Sequence, residues 1–331
     1  MLTDRDVGHR VVVRRRLDNG MFSDILGELA SLGDKDLVVR TAAGEQVTVP
    51  LASVAAAKQI PPRAVRAADL RALEAVAAAA WPARDTARLG DWLLRAAGGF
   101  TGRANSVLGL GDPGVPLPAA LEQVTGWYAA RGLTAQFDLP QPVSRVLDTA
   151  LAARGWELAC TVLVQTARLA DVLAAIPDRA DLPPVRLDSV PDEDWLAVAG
   201  ARKGTLPPVA RDLLTAPPGA RFATIRDNGR PGDGGQPGDE GRGDSDGRLV
   251  AIGRGVVDGD WLGVFLVETL PAVRRRGVAR HLIRALAADA AAHGATRAYL
   301  QVESTNDAAI ALYAALGFTT HHTYNRRRAP G

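Results

Sequence analysis

Residues 264–294 read VFLVETLPAVRRRGVARHLIRALAADAAAHG, and this stretch determines the fold class of the chain. Val264–Thr269 is an apolar run that predicts a buried strand, and Pro271 ends it. From Val278 onward, apolar side chains recur every three or four residues, which predicts an amphipathic helix. Gly294 is a typical residue at a helix C-terminus. The stretch therefore predicts a strand, a loop and a helix, in that order.

The loop between this strand and this helix has the chemistry of an anion site. A helix N-terminus presents backbone N–H groups without intrahelical partners, together with a partial positive charge. Gly277 lets the backbone approach a ligand closely, and Ala279 adds little bulk. The other residues of the loop are Arg274, Arg275, Arg276 and Val278. We interpret this loop as a site for a diphosphate.

A second motif follows the helix, in residues 300–318, LQVESTNDAAIALYAALGF. The pattern predicts a strand over 298–303 and then a short helix. Asn306 or Asp307 is the N-cap of that helix, and Gly317 lies at its end. The order of elements is therefore strand, helix, strand, helix, followed by a last strand.

With both motifs in this order, the stretch from about 250 to 325 resembles the GNAT acetyltransferase superfamily. The loop pattern of that family, R/Q-x-x-G-x-G/A, is matched by Arg274, Gly277 and Ala279. Its later pattern, N-x-x-A-x-x-L-Y-x-x-x-G-F, is matched by Asn306, Ala309, Leu312, Tyr313, Gly317 and Phe318. A loop motif of this kind needs a strand before it and a helix after it, and both are present here.

The resemblance implies that acetyl-CoA is the acetyl donor and that no metal is needed. Its pyrophosphate would bind the backbone N–H groups of residues 275–279, and its pantetheine would lie along the strand that ends at Val267 and Thr269. The implied donor site is Val267, Thr269, Arg274, Arg275, Arg276, Gly277, Val278, Ala279 and Asn306.

Tyr313 fits the position from which this family protonates the departing CoA thiolate. A phenol with a pKa of about 10 stays protonated at neutral pH and can donate to a thiolate whose parent thiol has a pKa of about 8.5. Glu303 is the predicted base that takes the proton of the attacking amine. Glu268 is an alternative base, as are His321 and His322 acting through water. Each of these residues also has a purely structural interpretation. Tyr313 would be a core aromatic residue, Glu303 and Glu268 would be solvated carboxylates on strands, and His321 and His322 would be exposed on an edge strand.

The chain also repeats itself. Two segments match at the same offset of 162 residues, which pairs Gly132 with Gly294, Phe137 with Tyr299, Gly155 with Gly317, and Trp156 with Phe318. We interpret this as a duplication, in which each unit runs strand, long helix, strand, helix, strand. The predicted fold class is α/β (α+β), with tandem GNAT-like mixed-sheet units.

The first unit lacks the residues that the donor site needs. At the positions of Arg274, Gly277, Val278, Ala279 and Tyr313 it has Asp112, Val115, Pro116, Leu117 and Leu151. Proline removes an N–H donor, a carboxylate repels phosphate, and leucine has no proton to give. We therefore predict a degenerate first unit. Its loop Gly98–Ser106, with Arg103 and Asn105, either contributes to acceptor binding or is a structural turn.

The remaining segments complete the predicted domain organisation. Residues 1–60 contain several short strand patterns separated by turn signals, which predicts a small SH3-like β-barrel, either a partner-binding module or a packing appendage. The segment KQIPPRA is a linker. The degenerate unit then covers residues 61–178 and the catalytic unit residues 179–331. Residues 227–247, rich in glycine and acidic residues, are predicted to be a disordered insertion in a hairpin.

Composition excludes several classes of protein. The chain has 39 Lys and Arg residues against 37 Asp and Glu residues, so its net charge of +2 does not indicate a nucleic-acid-coating protein. Residues 1–58 contain one aromatic residue, Phe22, which argues against a single-strand-binding barrel. One cysteine, Cys160, excludes an intrachain disulfide and a cysteine-based zinc site. No apolar stretch has the length of a signal peptide or membrane span, so we expect a cytoplasmic protein.

These observations predict an acetyl-CoA-dependent N-acetyltransferase that acts on a primary amine of a small molecule, peptide or protein by direct attack in a ternary complex. The alternative is a non-catalytic acetyl-CoA-sensing or protein-interaction module. GNAT acceptors range from small amines to protein N-termini and lysines, so the resemblance leaves the acceptor open.

Overall fold

The computed structural model describes residues 2–41, 44–60, 65–201, 206–227 and 247–331. The chain divides into two compact units, Met1–Arg66 and Ala67–Gly331. Pro61 and Pro62 of the predicted linker, and residues 228–246 of the predicted insertion, lie outside the described residues.

The first unit is a five-stranded antiparallel sheet in the order β4-β3-β2-β1-β5. Its strands are β1 (Arg10–Arg16), β2 (Phe22–Leu32), β3 (Asp36–Thr41), β4 (Gln46–Pro50) and β5 (Val54–Gln59). Alternate residues of these strands face one side, so that Val11, Val13, Leu29 and Val39 are fully buried. The antiparallel β-unit predicted for this region is present.

The second unit contains one mixed sheet of eleven strands, in the order β11-β12-β13-β14-β15-β10-β16-β9-β8-β7-β6. The strands are β6 (Asp85–Leu89), β7 (Trp92–Ala96), β8 (Val107–Leu108), β9 (Gln136–Gln141), β10 (Glu157–Arg168), β11 (Val185–Asp188), β12 (Ala220–Asp227), β13 (Arg248–Asp258), β14 (Trp261–Thr269), β15 (Arg297–Glu303) and β16 (Thr319–Arg328). The helices are α1 (Ala67–Ala79), α2 (Leu117–Ala129), α3 (Arg145–Ala152), α4 (Leu169–Ala175), α5 (Glu193–Gly200), α6 (Val209–Thr215), α7 (Val278–Ala292) and α8 (Asp307–Ala314).

The structure repeats at the offset found in the sequence. Shifting the bounds of α3 by 162 residues gives those of α8, and the same shift brings α2 onto α7 and β9 onto β15 within one residue at either end. The sheet has the same symmetry: the strand order toward the centre is β6-β7-β8-β9-β16 from one side and β12-β13-β14-β15-β10 from the other. The tandem mixed-sheet fold predicted from the sequence is confirmed.

Each repeat gives its last strand to the other. The last strand of the first repeat, β10, pairs with β15 of the second, and the last strand of the second, β16, pairs with β9 of the first. The two exchanged strands pair with each other at the centre of the sheet. The boundary predicted at residue 178 therefore separates two sequence repeats that share one sheet.

The two faces of this sheet are covered by different helices. One core packs α4 and α7 against residues such as Val264 and Leu300. A second core packs α1, α5 and α6 against Phe265 and Tyr299, the next residues along the same strands and hence on the opposite face. The face that carries α1, α5 and α6 is called the α1 face below.

A buried ionic network joins the two repeats where β9 meets β16. The carboxylate of Asp138 accepts hydrogen bonds from Arg326 Nε at 2.7 Å and Nη2 at 3.0 Å, from Arg95 at 3.1 Å and from Ser106 at 2.9 Å. Asp138 and Arg95 are each 3% exposed. One buried carboxylate thus compensates two guanidinium groups, and one of them belongs to the other repeat.

Asp138→Asn should destabilise the larger unit by about 3–5 kcal/mol, because it leaves two buried cations without a counter-charge. All six tryptophans lie in Ala67–Gly331, so tryptophan fluorescence during urea unfolding reports on that unit. The matched control is Asp85→Asn, since Asp85 forms an exposed pair with Arg131 at 3.7 Å and its loss should cost about 1 kcal/mol or less. Equal losses in the two variants would contradict the role given to Asp138.

Deleting residues 229–246 should leave the melting temperature within a few degrees of the parent value. Asp227 and Arg248 are direct partners at the ends of β12 and β13, and the deletion leaves Asn228 and Gly247 between them. Asn-Gly is the preferred two-residue loop of a β-hairpin, and Gly247 already has a φ of +69°. Thermal unfolding followed by tryptophan fluorescence checks this prediction. A large drop in melting temperature would show that the insertion stabilises the fold.

Candidate active site

The strands β14 and β15 are neighbours in the sheet but pair along only part of their length. Parallel pairing joins Trp261–Val264 to Arg297–Leu300. Within the described residues the pairing stops there, although β14 continues to Thr269 and β15 to Glu303. The backbone groups of Phe265–Thr269 that face β15 therefore lack strand partners in the middle of a sheet. This gap suits an extended ligand that has amide groups of its own.

A β-bulge in β14 lies where the gap begins. Arg254 of β13 is opposite Phe265, and Ile252 is opposite Glu268, so β14 has one extra residue between these two pairs. Leu266, inside the bulge, has a φ of +51°, in the left-handed region. A bulge bends its strand and leaves the ladder locally unpaired. The irregularity of β14 thus coincides with the end of its pairing to β15.

The equivalent strands of the first repeat also pair over a short length. Val107 and Leu108 of β8 pair with Phe137 and Asp138 of β9, and the N–H of Gly109 donates to the carbonyl of Asp138 at 3.0 Å. At the offset of 162, Phe137 and Asp138 correspond to Tyr299 and Leu300, the last residues of β15 that pair with β14. The repeats differ after this point, because β8 ends at Leu108 whereas β14 continues to Thr269.

The N-terminus of α7 follows β14 directly. Gly277 is the N-cap with a φ of +86°, and Arg275 has a φ of +61°. No side chain caps this helix, and no acidic residue lies in its first turn. The first N–H groups are therefore open to a ligand, and the helix dipole favours an anion there. The loop and the helix start fit the diphosphate of acetyl-CoA.

Arg179 lies against this loop, although it belongs to the segment between α4 and β11. A Cβ atom at position 277 would lie 2.7 Å from Arg179 Nη1, so the guanidinium reaches the backbone of this loop, and the φ of Gly277 favours glycine there. Two hydrogen bonds of 2.6 Å join the Arg179 guanidinium to Asp181, and they lower the pKa of Asp181 to about 2. The loop thus has one more cation beside it than its own three arginines.

Tyr313 lies on α8, which packs on the same face of the sheet as α7. Its ring packs edge-on against Phe318, with 5.8 Å between ring centres. Burial raises the pKa of Tyr313 to about 12, and the carboxylate of Glu268 acts in the same direction. The phenol is therefore protonated at neutral pH.

Asn306 fixes the start of α8, since its side-chain oxygen accepts a hydrogen bond from the N–H of Ala309 at 3.2 Å, which confirms Asn306 as the N-cap.

Glu303 lies exposed at the end of β15, on the wall of a cavity of about 590 Å³. Residues from both repeats line this cavity, among them Gly99, Thr101, Gly102, Asn105, Cys160, Arg326 and Arg328. Burial raises the pKa of the Cys160 thiol, so it is protonated and a poor nucleophile at neutral pH. Among the acid and base candidates of the sequence analysis, Glu303 is exposed and lines this cavity.

The two histidines of β16 do not lie on an edge strand, which was the alternative that the sequence left open for them. Strand exchange puts β16 in the interior of the sheet, between β10 and β9. His322 is buried, and its Nε2 lies 2.7 Å from the carboxylate of Glu74 on α1. His321 is hydrogen-bonded to His322 through their Nδ1 atoms at 2.8 Å, and burial lowers its pKa, with His322 contributing. The three side chains form a chain of polar contacts from the half-buried His321 to Glu74.

The loop Gly98–Ser106 is shaped by Asn105, whose side chain makes four backbone hydrogen bonds of 2.7–2.9 Å. They go to the N–H groups of Ala97 and Gly99 and to the carbonyls of Phe100 and Thr101. Asn105 is therefore committed to holding the loop. Arg103, at the tip, lies over the rings of Trp81 and Phe265 instead.

The first repeat uses its version of the diphosphate loop for internal contacts. The N–H of Asp112 donates to the carboxylate of Asp91 at 2.9 Å, and the N–H of Asp91 donates to the carbonyl of Asp112 at 2.8 Å. Pro116 is the N-cap of α2, and Leu151 is fully buried in the core. The two hydrogen bonds between Asp91 and Asp112 bind the loop to the turn between β6 and β7.

Sequence reasoning missed three residues near the site: Arg179, Glu74 and Arg254. Glu74 left a signal, because it occupies an apolar-face position of α1 with Leu70, Leu73 and Ala77, all of them buried. Arg254 is likewise a charged residue in the apolar interior of β13, and it is 0% exposed. Arg179 left none, since it lies in a short connection far from Gly277 in the sequence.

No group of three or more His, Cys, Asp or Glu residues that could hold a metal ion is found in the described part of the chain. None of the helices there is both long and apolar enough to cross a membrane.

Comparison with known structures supports the fold. The chain is similar to a GCN5-related N-acetyltransferase from Kribbella flavida, with a TM-score of 0.58 and 20% identity over 79% of this chain and 95% of that one. It is also similar to a tandem GNAT protein from the clavulanic acid biosynthesis pathway, with a TM-score of 0.53 and 14% identity over 81% of this chain and 91% of that one. Both likenesses concern the fold alone.

Two family models match the sequence. The one described as "Rv0428c N-terminal Sm-like domain" matches residues 5–58, so the first unit is similar to an Sm-like domain, and the SH3-like description expected from the strand pattern is not the one supported. The one described as "Probable histone acetyltransferase Rv0428c C-terminal" matches residues 67–327.

Curated relatives agree with these matches. The "Uncharacterized N-acetyltransferase YobR" of Bacillus subtilis is 28% identical over 269 residues, which cover 78% of this chain and 99% of that protein. The "Probable histone acetyltransferase Rv0428c" of Mycobacterium tuberculosis is 31% identical over 330 residues, 96% of this chain and 93% of that protein. The chain belongs to the Rv0428c family and is an N-acetyltransferase of the GNAT superfamily.

Proposed function

We propose that the second repeat binds acetyl-CoA and transfers its acetyl group to a primary amine by direct attack, without a covalent enzyme intermediate. One observation carries the proposal. The gap between β14 and β15 opens beside the uncapped N-terminus of α7, so one ligand with amides at one end and phosphates at the other fits both.

The donor site follows from these two features. The unpaired backbone of β14 near Val267 and Thr269 binds the pantetheine amides. The N–H groups of residues 275–279 bind the pyrophosphate, and Arg274, Arg275 and Arg276 add positive charge. Arg274 also ties the loop to the strand, since its Nε donates to the carbonyl of Thr269 at 3.3 Å.

In the reaction, the neutral amine attacks the thioester carbonyl, and Glu303 accepts the proton that the amine loses. The C–N bond forms, the C–S bond breaks, and Tyr313 gives its proton to the leaving thiolate. Tyr313 meets the first requirement of this role, because with a pKa of about 12 its phenol carries the proton at neutral pH. The exposure of Glu303 in the cavity supports its role as base.

His321 is the alternative base. Its lowered pKa keeps the imidazole neutral at pH 7, and the contact through His322 to Glu74 would stabilise the charge gained with a proton. We favour Glu303 because its carboxylate lies open to the cavity, whereas His321 is half-buried and hydrogen-bonded to His322.

The first repeat, on this proposal, binds no acetyl-CoA. Its helix α2 has Pro116 as the N-cap, a residue with no N–H to offer an anion, and its loop is bound to Asp91. A purely acetyl-CoA-sensing role is disfavoured, since Tyr313 is retained beside the donor loop. The name of the mycobacterial relative makes a lysine of a basic protein one candidate acceptor.

Calorimetric titration with acetyl-CoA should give one site per chain, and Gly277→Asp should abolish it. The substitution places a carboxylate at the anion site and a side chain against Arg179. Gly294→Asp is the matched control, because Gly294 has a φ of +89° at the other end of α7 with nothing within 4 Å of an added Cβ. Two equivalent sites, or normal binding by Gly277→Asp, would contradict the donor site proposed here.

Tyr313→Phe should lower kcat by about 10²–10⁴-fold and leave acetyl-CoA affinity nearly unchanged, because it removes one proton and keeps the ring. Steady-state thiol release gives kcat, and calorimetry gives the affinity. A fall of less than about threefold, with chemistry rate-limiting, would mean that the thiolate leaves without this acid. A collapse of affinity would instead make the hydroxyl a binding contact.

A further inference from the structure

A buried cation without an acidic partner lies beside the gap, on the α1 face. Arg254 is 0% exposed, and within the described ranges no carboxylate pairs with it. Its Nε donates to the carbonyl of Leu214 at 2.9 Å and its Nη2 to that of Ala80 at 3.1 Å, while its Nη1 is buried and has no hydrogen-bond partner. A buried charge is costly unless an opposite charge compensates it.

A second arginine lies against the same two aromatic rings. The guanidinium carbon of Arg254 lies 5.0 Å from the ring centre of Trp81 and 5.3 Å from that of Phe265. The corresponding distances from Arg103 are 5.5 Å and 5.4 Å, and Arg103 Nε is also buried without a partner. Burial lowers the pKa of Arg254 to about 9, and repulsion by Arg103 contributes. The guanidinium of Arg254 is therefore still charged at neutral pH.

Tyr299 adds a third unsatisfied donor to this cluster. It is 0% exposed, its hydroxyl has no partner, and its ring lies 5.9 Å from Phe265. Phe265 is the first residue of β14 beyond the pairing with β15. Arg254 Nη1, Arg103 Nε and the Tyr299 hydroxyl are thus three unbonded donors around the point where the gap opens, and buried donors of this kind normally have a partner.

An anion beside these groups would compensate the buried charge of Arg254 and accept hydrogen bonds from unbonded donors, and the phosphates of acetyl-CoA are not suited to supply it. The proposed diphosphate site is at the N-terminus of α7, whereas the cluster lies in the core of the opposite face. The anion is better supplied by the other substrate. We infer that the acetyl acceptor is an amine that carries a carboxylate, such as an amino acid or a short peptide with a free C-terminus, and that Arg103, Arg254 and Tyr299 bind this carboxylate.

The loop that carries Arg103 also forms the wall of the cavity that contains Glu303. Its neighbours Thr101, Gly102 and Asn105 line that cavity. The loop is held rigidly, by the four hydrogen bonds of Asn105 and by the Trp81 ring nitrogen, which donates to Thr101 at 3.0 Å. The first repeat, which lacks a donor site, would thus supply the acceptor specificity of the second.

A basic polypeptide fits this site poorly. Arg328 lines the same cavity, so a further cation lies there besides Arg103 of the loop. Lysine-rich and arginine-rich segments would be repelled there, whereas Glu303 would attract a single ammonium group before it loses its proton.

The inference rests on the proposed acetyl transfer, and thiol release by the full-length protein tests it. Amino acids and dipeptides are each compared with their own C-terminal amides, and with a lysine-rich peptide blocked at both ends. The free acids should have kcat/KM values about tenfold to a hundredfold above those of the amides. Arg103→Gln should remove this preference by lowering the value for the acid alone. Arg145→Gln, an exposed arginine on α3, is the matched control and should change neither value.

Acetyl-CoA titration distinguishes a failure of the proposed carboxylate site from a failure of the proposed acetyl transfer. Arg103→Gln should bind acetyl-CoA with unchanged affinity, and a loss of that affinity would mean that the cluster binds the donor instead. Amides or the blocked peptide reacting as well as the acids would overturn the inference and leave the acetyl transfer intact. No thiol release with any amine would overturn both. The comparison of acids with amides uses the parent protein, so it decides the question even if Arg103→Gln fails to fold.

Discussion

The rest of the structure depends on the exchange of β10 and β16 between the two repeats. The last strand of each repeat pairs within the sheet of the other repeat, so each repeat completes its sheet with a strand from its partner repeat. The exchange brings Arg326 of the second repeat onto Asp138 of the first, a buried contact that compensates two guanidinium groups at once. Because neither sheet is complete alone, residues of the first repeat are held in a fixed position relative to the proposed active site of the second.

The two repeats use the same elements for different purposes. In the second, β14 and β15 part beyond Val264 and α7 begins without a cap, which leaves a gap and an anion site. In the first, the loop after β8 is hydrogen-bonded to Asp91, and the N-cap of α2 is Pro116. The loop before β8 crosses instead to Phe265 of the second repeat through Arg103. The two repeats thus differ most in the loop that precedes the long helix, at the proposed donor site.

Local patterns in the sequence predicted the strand-loop-helix of the donor site, the capping by Asn306 and the offset of 162 residues, because each depends on residues close together or on simple self-similarity. Strand exchange was beyond this reasoning. Nothing in β16 itself indicates which neighbours it has, so His321 and His322 were expected at an edge and are found in the interior. Arg179 and Arg254 were missed for the same reason, since only the fold brings them to the site.

The central claim is that the donor binds only where β14 leaves β15, and hydrogen exchange of the full chain with and without CoA tests it most directly. The account predicts protection of backbone amides in Phe265–Thr269 and at the start of α7, and no change in residues 107–119, the same region of the first repeat. Protection of residues 107–119, or unchanged exchange in Phe265–Thr269, would contradict it.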